Sequence, residues 1–253
     1  MTRPAASAVW QTRAMGLFDL LKPSGEEAER AASALAAGRD NAPDDSAIGR
    51  LVQMLLSTGL DGRGPLRAAP AIADAARRRT SDPDEAVGRI VRLHVLGGAI
   101  GGFATGLGGF VTMPVALPVN VAEFYVQATR MVGSIAILRG YDVQDPQVRT
   151  AVLLTLVGSR ADEVLAKAGL ATGGGAVTRV ALRRLPPVAL MVVNKAIGFR
   201  LVRGVFERVF SRLGRAVPFL GGVIGAVVDG WMMRRIAEQA MVEFPAAEAG
   251  GAR

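Results

Sequence analysis

Five polar residues follow Pro118 at helical spacing: Asn120, Glu123, Gln127, Arg130 and Ser134. Steps of three and four place them on one stripe of an otherwise apolar helix. A carboxylate, an amide, a guanidinium and a hydroxyl in line could pair internally, hold an ion or pass a proton, provided that water is excluded from them. At membrane depth they would line an interior cleft or meet a partner, because a lipid-facing carboxylate is costly. In a soluble fold the same stripe is the wet or structurally paired face, and that is the reading taken. Asp229 is the sixth candidate. It closes an apolar segment and reads as a helix-end ion-pair partner of Arg234, Arg235 or an arginine of the preceding helix. Enzyme chemistry would need Glu123, Arg130 and Asp229 to converge in one pocket. Spacing does not establish that convergence, so no catalytic residue is assigned.

Other chemistries have little to work with. The chain has no cysteine and a single histidine, His94, which leaves thiolate sites and histidine-rich metal sites without ligands. His94 reads as a packed side chain, and no metal or cofactor is expected. Gly106-Leu107-Gly108-Gly109 fails the dinucleotide fingerprint because Val111 stands at its last glycine position, and no phosphate-binding loop of the GxxxxGK[ST] kind occurs.

The elements that must position the stripe begin with the stretch from Val95 to Ala122, which has no charged residue and is rich in glycine. Each helical glycine costs about 1 kcal/mol relative to alanine, so close backbone approach must compensate. Gly98, Gly102 and Gly106 form one row of small residues. Gly97, Gly101, Thr105 and Gly109 form another. Ser81-Asp82-Pro83-Asp84-Glu85 is a helix start leading into this stretch. Pro114 and Pro118 are expected to interrupt it, giving a helical hairpin whose second arm runs from about Pro118 to Leu138 and stops at Gly140. A second glycine-bearing apolar segment, 216–233, carries Gly221, Gly222 and Gly225.

Around these, helices are expected from about Asp44 to Thr58, over 66–79, from Asp145-Pro146 to Val157, over 161–168, and over 188–213. Gly38 reads as a helix stop and Gly173-Gly174-Gly175 as a loop. The fold class is therefore all-α: a multi-helix domain containing a glycine-rich hairpin and a second glycine-bearing apolar helix. Residues 1–24 read as a flexible N-terminal tail, 25–244 as one domain and 245–253 as a disordered tail.

The net charge of +8 is unevenly placed. Residues 1–60 carry six basic and seven acidic side chains, whereas 179–215 carry nine basic ones against Glu207 alone. Arg200, Arg203, Arg208, Arg212 and Arg215 in this block could hold anionic headgroups. The basic helix 200–215 carries no zinc-site or helix-turn-helix signature, so no nucleic acid is expected.

Several blocks, in order, resemble the EcsC family of bacterial proteins: Asp61-Gly-Arg-Gly-Pro65, the GGFATGLGGF run ending at Phe110, the MPVALP segment, Ile135-Ala136 before Gly140-Tyr141-Asp142, and Val217-Pro-Phe-Leu-Gly-Gly-Val-Ile-Gly225. They cover roughly residues 50–245. Ala116 stands where many members of that family carry Asp. The resemblance implies a helical, membrane-associated protein without an assigned activity, linked to transport or secretion.

The functional expectation is an interaction or accessory protein on the cytoplasmic side of the membrane, peripheral or partly inserted, with anionic lipid as its partner and a transporter component as a candidate second partner. Arg89 and Arg92 precede the first apolar segment, Arg139 follows the hairpin, and arginines bracket the second segment. Flanks that are all basic stay on one side of a membrane. The alternative is a soluble helical scaffold whose glycine rows are core contacts. A lipid- or peptide-modifying enzyme is the third class.

Overall fold

The computed structural model describes residues 45–62, 67–107, 109–157, 193, 197 and 220–246. Among these are six α-helices, a π-helical turn and no strand: α1 (Asp45–Met54), continued by the π turn Leu55–Leu60, α2 (Ala69–Arg77), α3 (Pro83–Leu107), α4 (Gly109–Leu138), α5 (Pro146–Val157) and α6 (Leu220–Glu243). The all-α expectation holds.

α4 is the axis of the fold. From Val121 to Ala136 nearly every residue is buried, because the sequence is apolar around the whole helix and all its sides are packed. The π turn, α2, α3, α5 and α6 surround it. Two glycines set the closest of these approaches. A methyl group at Gly59 would meet Thr129 Cβ at 2.7 Å, and one at Gly133 would collide with Leu60 and come within 3.2 Å of Ala69 Cβ. The π turn is closed by the Asp61 amide donating five residues back to Leu56 at 3.1 Å. Ser134 Oγ ties α4 to α2, its one hydroxyl proton shared between the Ala69 carbonyl at 3.1 Å and the Arg130 carbonyl of its own helix at 2.8 Å.

Helix ends follow the capping chemistry. Asp82 Oδ1 accepts from the Asp84 amide at 2.9 Å to start α3, and Asp145 Oδ1 accepts from the Gln147 amide at 2.8 Å to start α5. α4 ends in a Schellman motif: Gly140 has φ 88°, its amide donates to Ile137, and the Tyr141 amide donates to Ala136. Tyr141 then packs edge-on against buried Phe244, and its hydroxyl donates to the Pro245 carbonyl at 3.2 Å.

Three boundaries differ from expectation. Pro114 and Pro118 do not interrupt the chain, since α4 runs unbroken from Gly109 through both. α3 ends at Leu107 and α4 begins at Gly109, both inside the glycine run. A proline within a helix removes only its own amide bond and crowds one carbonyl, and burial of the rest of α4 outweighs the loss of two bonds. α6 does not stop near Met233 but continues to Glu243, because Ile236, Ala237 and Ala240 keep its inner face apolar and buried. The first described helix carries on as the π turn to Leu60. The expectations at Gly38, 161–168 and Gly173–Gly175 lie outside the described residues. So does the helix over 188–213, except Val193 and Ile197, which are helical and fully buried.

Candidate functional site

α3 and α6 lie antiparallel, with their glycine rows turned toward each other. Gly106 faces Gly221 and Gly222, Gly102 faces Gly225 and Asp229, and Gly98 faces Asp229 and Met233. A methyl group at Gly102 would sit 2.6 Å from Asp229 Oδ2 and closer still to the Gly225 carbonyl, while one at Gly225 would run into the Gly102 carbonyl. These are backbone-to-backbone contacts that only glycine permits. Gly230 continues the seam against Ala99 Cβ, and Gly222 lies under the ring of Phe103. Gly97 is turned the other way, toward Gln127 Oε1 of α4, and Gly101 is partly buried. Gly109 opens α4.

The polar stripe of α4 is inside the protein. Gln127, Arg130 and Ser134 are buried and Glu123 is partly so; the stripe lies in the interior and is not a wet face. Asn120 is helical in backbone, and its side chain is outside the described part. Gln127 Nε2 donates to Glu123 Oε1 at 3.3 Å. Arg130 is only 1 % exposed, and its Nε and Nη2, like Gln127 Oε1, are enclosed with no hydrogen-bond partner among the described residues. Burial draws the Arg130 guanidinium down to about 10, against the opposing pull of the Glu123 charge.

His94 of α3 belongs to the same interior. Its Nδ1 is 2.9 Å from the Ile90 carbonyl, which can only accept, so Nδ1 carries the proton. Burial holds the ring neutral and its pKa down to about 4, with the Ile90 hydrogen bond opposing and the Arg130 charge adding to the depression. His94 is a packed side chain, as its isolation in the sequence suggests, but it faces the stripe. Sequence reasoning did not connect the two. The 3.6-residue phase linking His94 to Gly97, Gly98 and Gly101 was the available signal.

Asp229 departs from expectation. It sits mid-helix in α6, buried over Gly102, and not at a helix end. Arg234 and Arg235 are instead exposed and share Glu238, at 3.2 and 4.0 Å. The structure thus brings Glu123, Gln127, Arg130 and His94 together between α3 and α4 and sets Asp229 on the α3–α6 seam. Among the described residues no three His, Asp or Glu side chains group as a metal site. Arg200, Arg203, Arg208, Arg212 and Arg215 lie outside the described residues.

With the glycines turned inward, larger apolar residues are turned out. Leu93, Leu96 and Phe103 of α3 and Val223, Ile224, Val227 and Trp231 of α6 are exposed, Val227 at 65 % and Trp231 at 60 %. The contacts of Gly222 with Phe103 and of Gly230 with Ala99 put the exposed sides of the two helices next to each other. The Arg235 guanidinium lies 5.7 Å over the Trp231 ring.

The profile of the EcsC protein family matches residues 46–245. The chain belongs to the EcsC family. Comparison with curated proteins and with solved structures finds no match. The blocks that carry the EcsC resemblance acquire structural roles here. Asp61 of the DGRGP block receives a two-pronged bond from Arg149 of α5, with both N–O distances 2.8 Å. The glycines of GGFATGLGGF and of the closing PFLGGVIG block meet each other in the seam.

Proposed function

We propose that this EcsC-family chain is a peripheral membrane protein of the cytoplasmic face, an interaction or accessory component that docks on anionic lipid through the joined outer faces of α3 and α6. One observation carries the reading: seven large apolar side chains stand exposed on two adjacent helices, and contiguous apolar surface of this kind marks an interaction site. The arginines at one end of that face and the basic block 179–215 supply attraction for anionic headgroups. No described helix is long and apolar enough to cross a membrane, and docking requires none. A link to transport or secretion, with a transporter component as second partner, rests on the family resemblance.

Flotation of the full chain with phosphatidylglycerol-containing vesicles tests the proposal. Val227→Asp, on the exposed face, should abolish flotation without changing the helical circular dichroism. Flotation of the variant equal to that of the parent overturns the reading.

The inward glycine seam gives the scaffold alternative its support, since there the rows serve as core contacts. In that case the apolar face takes a protein, and the parent chain remains at the bottom of the gradient whatever the lipid.

A further inference from the structure

Position along the α3–α6 pair sorts side chains by type. The facing pairs Gly106 with Gly221, Gly102 with Gly225 and Gly98 with Asp229 fix the register, so Trp231 lies level with Leu96 and Arg234 with Leu93. Arg89 and Arg92 lie just beyond, on the same side of that level. Towards the other end, α3 from Val95 to Leu107 and α6 from Leu220 to Val228 contain no charged residue. α4, which faces Gly97 through Gln127, is likewise uncharged from Gly109 to Ala122. The pair therefore has an uncharged apolar end carrying Phe103, Val223, Ile224 and Val227, and a collar of Trp231, Arg89, Arg92, Arg234 and Arg235 below it. Glu85 pairs with Arg89 at 3.3 Å and Glu238 serves Arg234 and Arg235, so four collar arginines face two carboxylates.

The lengths fit one leaflet. Thirteen residues of α3 rise about 20 Å and the nine from Leu220 to Val228 about 14 Å, against roughly 15 Å for half of a 30 Å hydrocarbon core. Tryptophan and arginine are the side chains that settle at the headgroup boundary. An interior row of glycines completes the arrangement, because the helices pack closely backbone to backbone and leave the bulky side chains for the outside.

We propose that the uncharged ends of α3 and α6, with the start of α4, enter one leaflet of an anionic bilayer end-on, with Trp231, Arg92, Arg234 and Arg235 held at the headgroups. This rests on the membrane reading above and adds to it a direction and a depth.

The chain has no cysteine, so single-site spin labels report depth directly. Val223→Cys, Val227→Cys, Leu93→Cys and Met241→Cys, each labelled with a nitroxide in the full chain, are mixed with vesicles of equal phosphatidylglycerol and phosphatidylcholine, and collision with oxygen and with a water-soluble nickel complex is measured. The labels at 223 and 227 should lie in hydrocarbon, that at 93 at the headgroups and that at 241 in water. Arg92→Gln and Arg235→Gln should each weaken binding roughly fivefold. Equal depth at 223 and 241 shows the pair lying flat, which overturns the end-on proposal while docking stands. Labels already immobile and shielded without lipid show the face covered by the chain itself, and overturn it too. Absence of vesicle binding by all four, with the parent also failing, brings down the membrane reading first.

Discussion

The carboxylate of Asp229 rests over the bare Cα of Gly102, so close that a methyl group there would be 2.6 Å from Oδ2. A buried acid is thus held against a backbone by the absence of a side chain. The size of the residue at 102 sets both the helix spacing and the surroundings of the acid.

Alanine substitutions along α3 should accordingly split by position. Gly102→Ala should destabilise the chain by about 2 kcal/mol or more in urea unfolding, because overpacking exceeds the gain of about 1 kcal/mol in helix propensity. Gly98→Ala should be neutral or stabilising, since its nearest neighbours are at 3.5 Å, and Gly88→Ala, with open space around it, should add about 0.5–1 kcal/mol. Equal effects at 98 and 102 would show that the seam is not where the structure has it.

Stability should fall with acid through His94. The unfolded ring titrates at 6.5 and the folded one at about 4, so between these values the unfolded chain binds more protons. Stability is whole above pH 6.5, declines as pH drops towards 4 and levels below, by on the order of 3 kcal/mol. His94→Gln should remove that part of the slope from the parent's curve. Identical slopes in parent and variant from pH 7 to 4 would contradict burial of a neutral ring.

Arg130 should contribute little to stability. A guanidinium taken out of water with Nε and Nη2 unsatisfied has forfeited hydration without full return, so Arg130→Met should leave the urea midpoint unchanged or raise it. A loss beyond about 3 kcal/mol would reveal a strong partner for the charge. Glu123→Gln should act oppositely and destabilise, because the Glu123 charge favours the charged form of Arg130.

The fork between Arg149 and Asp61 fastens α5 to the end of the π turn. Arg149→Lys keeps the charge but loses the two-pronged geometry, with an expected cost of about 1 kcal/mol. A double-mutant cycle with Asp61→Asn should give a coupling of similar size. Coupling near zero would mean that the pair is incidental.

Caps and stops were legible in the sequence because they depend on a few neighbouring residues: Asp82-Pro83, Asp145-Pro146 and Gly140 begin and end helices as their chemistry requires. The need for close packing at Gly98, Gly102 and Gly106 was legible too, through the cost of glycine in a helix. The partner was not, since a row of small residues states that something comes near without stating what. Pro114 and Pro118 misled because local helix-breaking tendency yields to the burial of a long apolar helix. The stripe through Gln127 and Arg130 was visible as a stripe, but periodicity is the same for a face in water and a face in the core, and only packing by α3 decides between them.

Among the described residues, the closest approach of helix backbones joins positions about 120 apart, Gly102 and Gly225. At 5–20 residues per second of synthesis, α3 and α4 wait roughly 6–25 s for the helix that fills their groove. Throughout that interval the bare backbone of Gly102 and Gly106 has no mate. Any product of premature termination or proteolysis ending before residue 220 keeps the cleft open permanently, so nascent and clipped chains are the forms most exposed to self-association and most in need of a chaperone.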